Sequence, residues 1–171
     1  MEANLKINAD TAEGRRNVAQ LADSFDALAK TLGGELGTQA AQAATKLREL
    51  GKQEEAIQKF QSLRAEVGAT ERSLKDLERE AQAYGQQIAA AGPPTAQETE
   101  HLAKLRTAAS GAAQQLEQQR VALAASASEL QSHGIASESA NKALGRVRAE
   151  ITQTAQAAGR LDPALAEVAA G

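Results

Sequence analysis

His101 and His133 are the two histidines of the chain; with Tyr84, the Ser and Thr hydroxyls and 22 carboxylates, they hold its capacity for acid–base, nucleophilic or metal chemistry. A zinc site that shows in a helical sequence offers a second imidazole or a thiolate within about a helical turn. Neither histidine has one, and the chain contains no cysteine, which removes a thiolate nucleophile, a disulfide framework and a Cys-ligated metal. No G-x-S-x-G, P-loop, G-x-G-x-x-G or H-E-x-x-H pattern is present. The expectation is a protein that is not an enzyme, with no catalytic residue, metal or cofactor, and with both histidines on solvated helix faces.

The elements that would carry these residues are helical. Aromatic residues make up 2% of the chain and Trp is absent, so most of the 42% hydrophobic content is Ala, a strong helix former that buries little area. Such a composition leaves no deep pocket able to push one carboxylate pKa away from another. Ala, Gln, Glu, Leu, Lys and Arg with only three Pro describe long helices rather than a sandwich or an α/β domain. The fold class read from this is all-α.

Charge excludes one partner class and bears on another. Nineteen basic and 22 acidic residues are interspersed for a net charge of −3, leaving no basic stripe along which phosphates could displace their counterions, so no direct nucleic-acid binding is expected. No apolar run approaches the ~20 residues that cross a bilayer, so no membrane segment is expected either. Glu55 and Lys59, Glu71 and Lys75, Glu100 and Lys104, and Glu138 and Lys142 are Glu-before-Lys pairs one turn apart, as on solvated helix faces. Arg15-Arg16 and Glu54-Glu55 read the same way.

Along the chain, residues 1–10 form an extended arm, where Leu5 and Ile7 alternate with polar neighbours as in a strand. The arm either frays or pairs with another chain. Asp10 and Glu13 have capping-box spacing, opening a short helix whose seam of Val18, Leu21, Phe25, Leu28 and Leu32 runs into a glycine hinge, residues 11–37 in all. A long helix over 38–91 carries Leu47, Leu50, Ile57, Phe60, Leu63 and Val67, then the heptad seam Leu74, Leu77, Ala81, Tyr84 and Ile88. Between Leu50 and Leu63 the register slips like a stammer.

Gly92-Pro93-Pro94 must end that helix, and Thr95 with Glu98 is a second capping box. A second long helix over 95–133 follows, with the seam Leu102, Leu105, Ala109, Ala112, Leu116, Gln119, Leu123, Ser126 and Leu130. Two long helices flanking so short a turn predict an elongated antiparallel hairpin or coiled coil; a kinked rod is the alternative. His133-Gly134 closes this helix. A third helix over 137–159 carries Leu144, Val147 and Ile151, and residues 160–171 read as a truncated tail. The expected helix-packing or partner interface is therefore Leu74, Leu77, Tyr84, Ile88, Leu102, Leu105, Leu116, Leu123, Leu130, Leu144, Val147 and Ile151. A homo-oligomer is expected, although Ala-rich seams do not choose between two and three strands.

The ordered succession carries a resemblance. The opening Leu5-Lys6-Ile7-Asn8-Ala9-Asp10, a short helix, Gly34-Glu35-Leu36 leading into Ala40 to Leu50-Gly51, then Ile57 to Arg64 and later His133-Gly134-Ile135 with Leu144, resembles the N-terminal region of phage tail tape-measure proteins. The similarity spans roughly Leu5 to Ile151. It implies a structural virion component that templates tail-tube assembly and sets tail length, with tail-tube and tail-assembly proteins as partners. The implied location is the tail lumen, after assembly in the host cytoplasm. Members of that family are normally much longer and carry apolar segments further on, which suits a fragment. The competing class is a coiled-coil scaffold or adaptor, for example a capsid-assembly scaffold.

Overall fold

A computed structural model describes the backbone of residues 12–170 and the side chains of residue 16 and of residues 18–157. The expected arm and its Asp10–Glu13 capping box lie outside that range. Among the described residues the fold is all-α and contains no strand: α1 (Ala12–Leu32), α2 (Gly34–Ala91), α3 (Ala96–Ser132), a short 3-10 turn at Ser137–Ser139, and α4 (Ala140–Ala170). Two boundaries differ from expectation. α2 starts at Gly34 rather than at Thr38, and α4 continues through Gly159 and Pro163 to Ala170, where an end near Ala158 and a separate tail were expected.

The chain divides into two compact units, one made of residues up to Gln58 and from Leu130 onward, the other of Lys59–Glu129. In the first unit, α1 turns back onto the opening half of α2 through Gly33 and Gly34, whose φ angles of 59° and 61° lie in the left-handed region that favours glycine. Val18, Ala22 and Phe25 of α1 are buried, as are Ala40, Ala44, Leu47 and Leu50 of α2. Arg48 clamps the outside of this pair by bonding both Asp23 and Asp26. α4 contacts α1 and contributes Ala140, Ala143, Val147 and Ile151 to the same core.

Gly37 was expected to belong to a hinge, but it is helical and buried, beside the Ala29 backbone of α1. A Cβ there would stand 2.9 Å from the Ala29 carbonyl oxygen, a backbone atom that cannot turn aside. Gly37→Ala is therefore expected to force the two helices apart and lower stability by about 1–3 kcal/mol, despite the better helix propensity of Ala. Gly68→Ala is the control, because a Cβ there meets nothing within 4 Å. Urea unfolding should show the first variant less stable than the parent and the second equal or more stable; a stabilised Gly37→Ala would refute the close approach.

The second unit is a helical hairpin built from the distal half of α2 and most of α3. Moving up α2 from Lys59 through Glu71 to Tyr84 moves down α3 from Glu129 through Arg120 to His101. Lys59 and Glu129 pair at 3.1 Å, Glu71 and Arg120 at 2.8 Å, and the Tyr84 and His101 rings meet edge-on with centroids 4.7 Å apart. The two helices are antiparallel, which excludes the kinked rod for this unit. Phe60, Val67, Ile88, Leu105 and Leu116 are its buried large apolar residues, so burial here is thin, as Ala-rich seams dictate.

Helix ends follow local chemistry. At the start of α3 the Thr95 amide donates to the Glu98 carboxylate at 2.8 Å, and the Glu98 amide donates to the Thr95 hydroxyl at 3.2 Å, a complete capping box. At its end, the Ile135 amide donates to the Leu130 carbonyl and the Gly134 amide to the Gln131 carbonyl, the paired bonds of a Schellman motif. The apolar contact that accompanies such a motif falls on Leu130 and Ile135, both buried.

Candidate helix-packing surface and its polar contacts

The twelve residues expected to form a packing surface separate between the two units. In the hairpin, Ile88, Leu105 and Leu116 are buried and Leu74, Leu77, Tyr84, Leu102 and Leu123 are half-buried. In the other unit Leu130, Val147 and Ile151 are buried and Leu144 is half-buried. Their area goes into packing helices of the same chain. Among the described residues, Val121 is the large apolar side chain that remains open, 63% exposed on the outer face of α3.

One seam position was missed. The buried stripe of α2 runs Leu47, Leu50, Glu54, Ile57, in three-four alternation, so the heptad step expected between Leu50 and Ile57 has an occupant, and it is charged. Glu54 had been placed with Glu55 on a solvated face. Glu55 is exposed, but Glu54 is 1% exposed. α4 lies over it and brings the Arg148 guanidinium, whose Nε donates to Glu54 Oε1 at 3.0 Å, while the Gln58 amide nitrogen donates to the same oxygen at 3.3 Å. A carboxylate enters such a core only with a matched donor set, because an isolated buried charge costs several kcal/mol. The signal available in the sequence was the empty slot itself: a polar residue standing where the three-four alternation requires an apolar one.

The histidines also acquire partners. His133 was expected on a solvated face; its side chain is 18% exposed and its Nδ1 lies 3.1 Å from Glu49 Oε1. That contact, and then a bond from Gln53, hold the Glu49 carboxylate below its ordinary pKa. His101 is exposed and stacks its edge on Tyr84. No carboxylate was expected one turn from either imidazole, yet Glu98 and Glu129 stand there; Glu98 is engaged by Thr95, whose backbone amide first and hydroxyl second depress its pKa, and Glu129 is engaged by Lys59. Among the described residues no group of three His, Asp or Glu side chains is arranged to hold a metal ion.

Two seam atoms are buried without a hydrogen-bond partner, Gln119 Oε1 and Ser126 Oγ, both on the face of α3 that packs in the hairpin. Each lowers the stability of that seam, since a buried polar atom without a partner costs about 1–3 kcal/mol. An open groove of about 560 Å³ runs along α2 in the first unit, between Thr38 and Gln53, with Lys46 and, from α4, Glu150 in its lining. Its charged groups already pair, Glu49 with His133 and, at 4.0 Å, Lys46 with Glu150. Among the described residues no helix is long and apolar enough to cross a membrane.

Comparison with protein-family models, curated proteins and solved structures finds no match to this chain. What the fold and its contacts define, among the described residues, is an all-α protein.

Proposed function

We propose that this chain is a structural component of a phage tail, the N-terminal region of a tape-measure protein, acting through helix packing and partner contacts rather than through catalysis. The ordered succession of motifs from Leu5 to Ile151 supports the family reading, and the all-α fold is compatible with it. The observation that carries the mechanistic part is the antiparallel register of Lys59–Glu129, Glu71–Arg120 and Tyr84–His101. A segment that folds back on itself adds no net length to a ruler. The expected role of this region is to start or plug the growing tube, with length set by other parts of the protein.

The test is genetic. Duplicating residues 60–87 together with 102–129 adds 28 residues, four heptads, to each arm of the hairpin and keeps both seams in register. Extended along a tube, one such insert would span about 42 Å at 1.5 Å per residue. With the duplications placed in the complete gene, tails in negative-stain images are expected to keep their parental length, and deletion of the region should abolish tail assembly. Tails lengthened by the insert would show that this segment measures. Normal tails from the deletion would remove the phage-tail reading and leave the coiled-coil scaffold or adaptor, whose reading frame would stop without a long downstream extension.

A further inference from the structure

We propose that two copies of this chain exchange their C-terminal halves through the Gly92-Pro93-Pro94 turn, so that its homo-oligomer is a reciprocally swapped dimer. The turn divides the chain into an N-terminal half, α1 with α2, and a C-terminal half, α3 with α4. Within the first unit the halves meet through Glu49–His133, Glu54–Arg148 and Lys46–Glu150; within the second they meet through Lys59–Glu129, Glu71–Arg120 and Tyr84–His101. Each of these contacts can re-form between two chains, because none involves the turn. The contacts that lie inside one half, Arg48 with the α1 aspartates and the Thr95–Glu98 box, travel with it unchanged.

The turn has the chemistry of a hinge. Residues 91–97 are all exposed. Gly92 holds φ at 111°, where an L side chain is strained, and it is the one residue of the turn outside ordinary backbone space. Pro93 disfavours helical backbone at the residue before it, and Pro94 does the same to Pro93. Tandem prolines favour an extended strut. Rotating Gly92 to negative φ thus opens the hairpin without bending anything else, and the proteins that exchange elements do so at such short connections. A Cβ at Gly92 meets nothing within 4 Å, so Gly92→Ala acts on the backbone alone and disfavours the closed turn.

The chain has no cysteine of its own, so single introduced thiols report unambiguously. Glu71→Cys and Arg120→Cys chains, carrying different tags, are unfolded, mixed, refolded at rising concentration and treated with a short bis-maleimide. A link between position 71 of one chain and position 120 of the other is expected, increasing with refolding concentration and persisting after dilution. Adding Gly92→Ala to both chains should raise the exchanged fraction about tenfold per hinge. Chains folded separately and then mixed should link far more slowly, which separates exchange from side-by-side association. If a single chain carrying both Glu71→Cys and Arg120→Cys links within itself while the mixture of singly substituted chains gives no 71-to-120 link at any concentration, with or without Gly92→Ala, the exchange is refuted.

Discussion

Arg148→Ala should unfold this protein at markedly lower urea concentration, with a loss of about 3 kcal/mol. The substitution leaves the Glu54 carboxylate at 1% exposure with only the Gln58 amide beside it. Removing one member of a buried ion pair typically costs about 3–5 kcal/mol, and the low end applies because the Arg148 side chain keeps 29% of its exposure. Replacing both residues by Leu tests the cause. A buried pair exchanged for apolar side chains of similar volume is often neutral or stabilising, so Glu54→Leu with Arg148→Leu should recover most of the loss. The urea midpoint read with an unchanged slope, in a double-mutant cycle, measures the coupling directly. An Arg148→Ala loss below about 1 kcal/mol would mean that water reaches Glu54 and that the pair is not buried in solution.

Leu130→Ala carries the other large effect. Leu130 is 0% exposed and packs at the end of α3, where its own carbonyl accepts the Ile135 amide at 3.0 Å. Truncation removes the apolar side of the Schellman motif and opens a cavity in the unit formed with α2 and α4, at a cost of about 2–5 kcal/mol. Val121→Ala, on the open outer face, should stay within about 0.5 kcal/mol of the parent. Circular dichroism and urea unfolding of the pair give the comparison. Equal losses at both positions would show that α3 is held by its helix propensity rather than by its buried seam.

Both experiments probe features that were unequally visible in the chain itself. Gly92-Pro93-Pro94-Thr95 with Glu98 announces a helix end and a helix start because proline geometry and capping are short-range chemistry, fully specified within seven residues. The three-four alternation from Leu102 to Leu130 announces a buried face for the same reason, and every position on it is buried or half-buried. Gly37 is different. In sequence it is a third glycine beside Gly33 and Gly34 and reads as more hinge; its use, letting a backbone carbonyl of another helix come close, depends on a neighbour that sequence spacing does not name.

The residues alone determined that this protein is helical, where its two long helices break, and which stripe each helix turns inward, because each of these is decided within about one or two turns of chain. Which stripe meets which partner was decided only in three dimensions. Leu130, Val147 and Ile151 pack in one unit and Leu105, Leu116 and Ile88 in the other, although all six sit on seams of identical period. Glu54 makes the point most sharply: on α2 alone it is an acidic residue on a helix, and it becomes a buried charge only when α4, ninety-four residues later, lays Arg148 across it. Periodicity tells a helix to bury a face but carries no information about the face opposite. That pairing depends on matching charge, volume and close approach between distant segments.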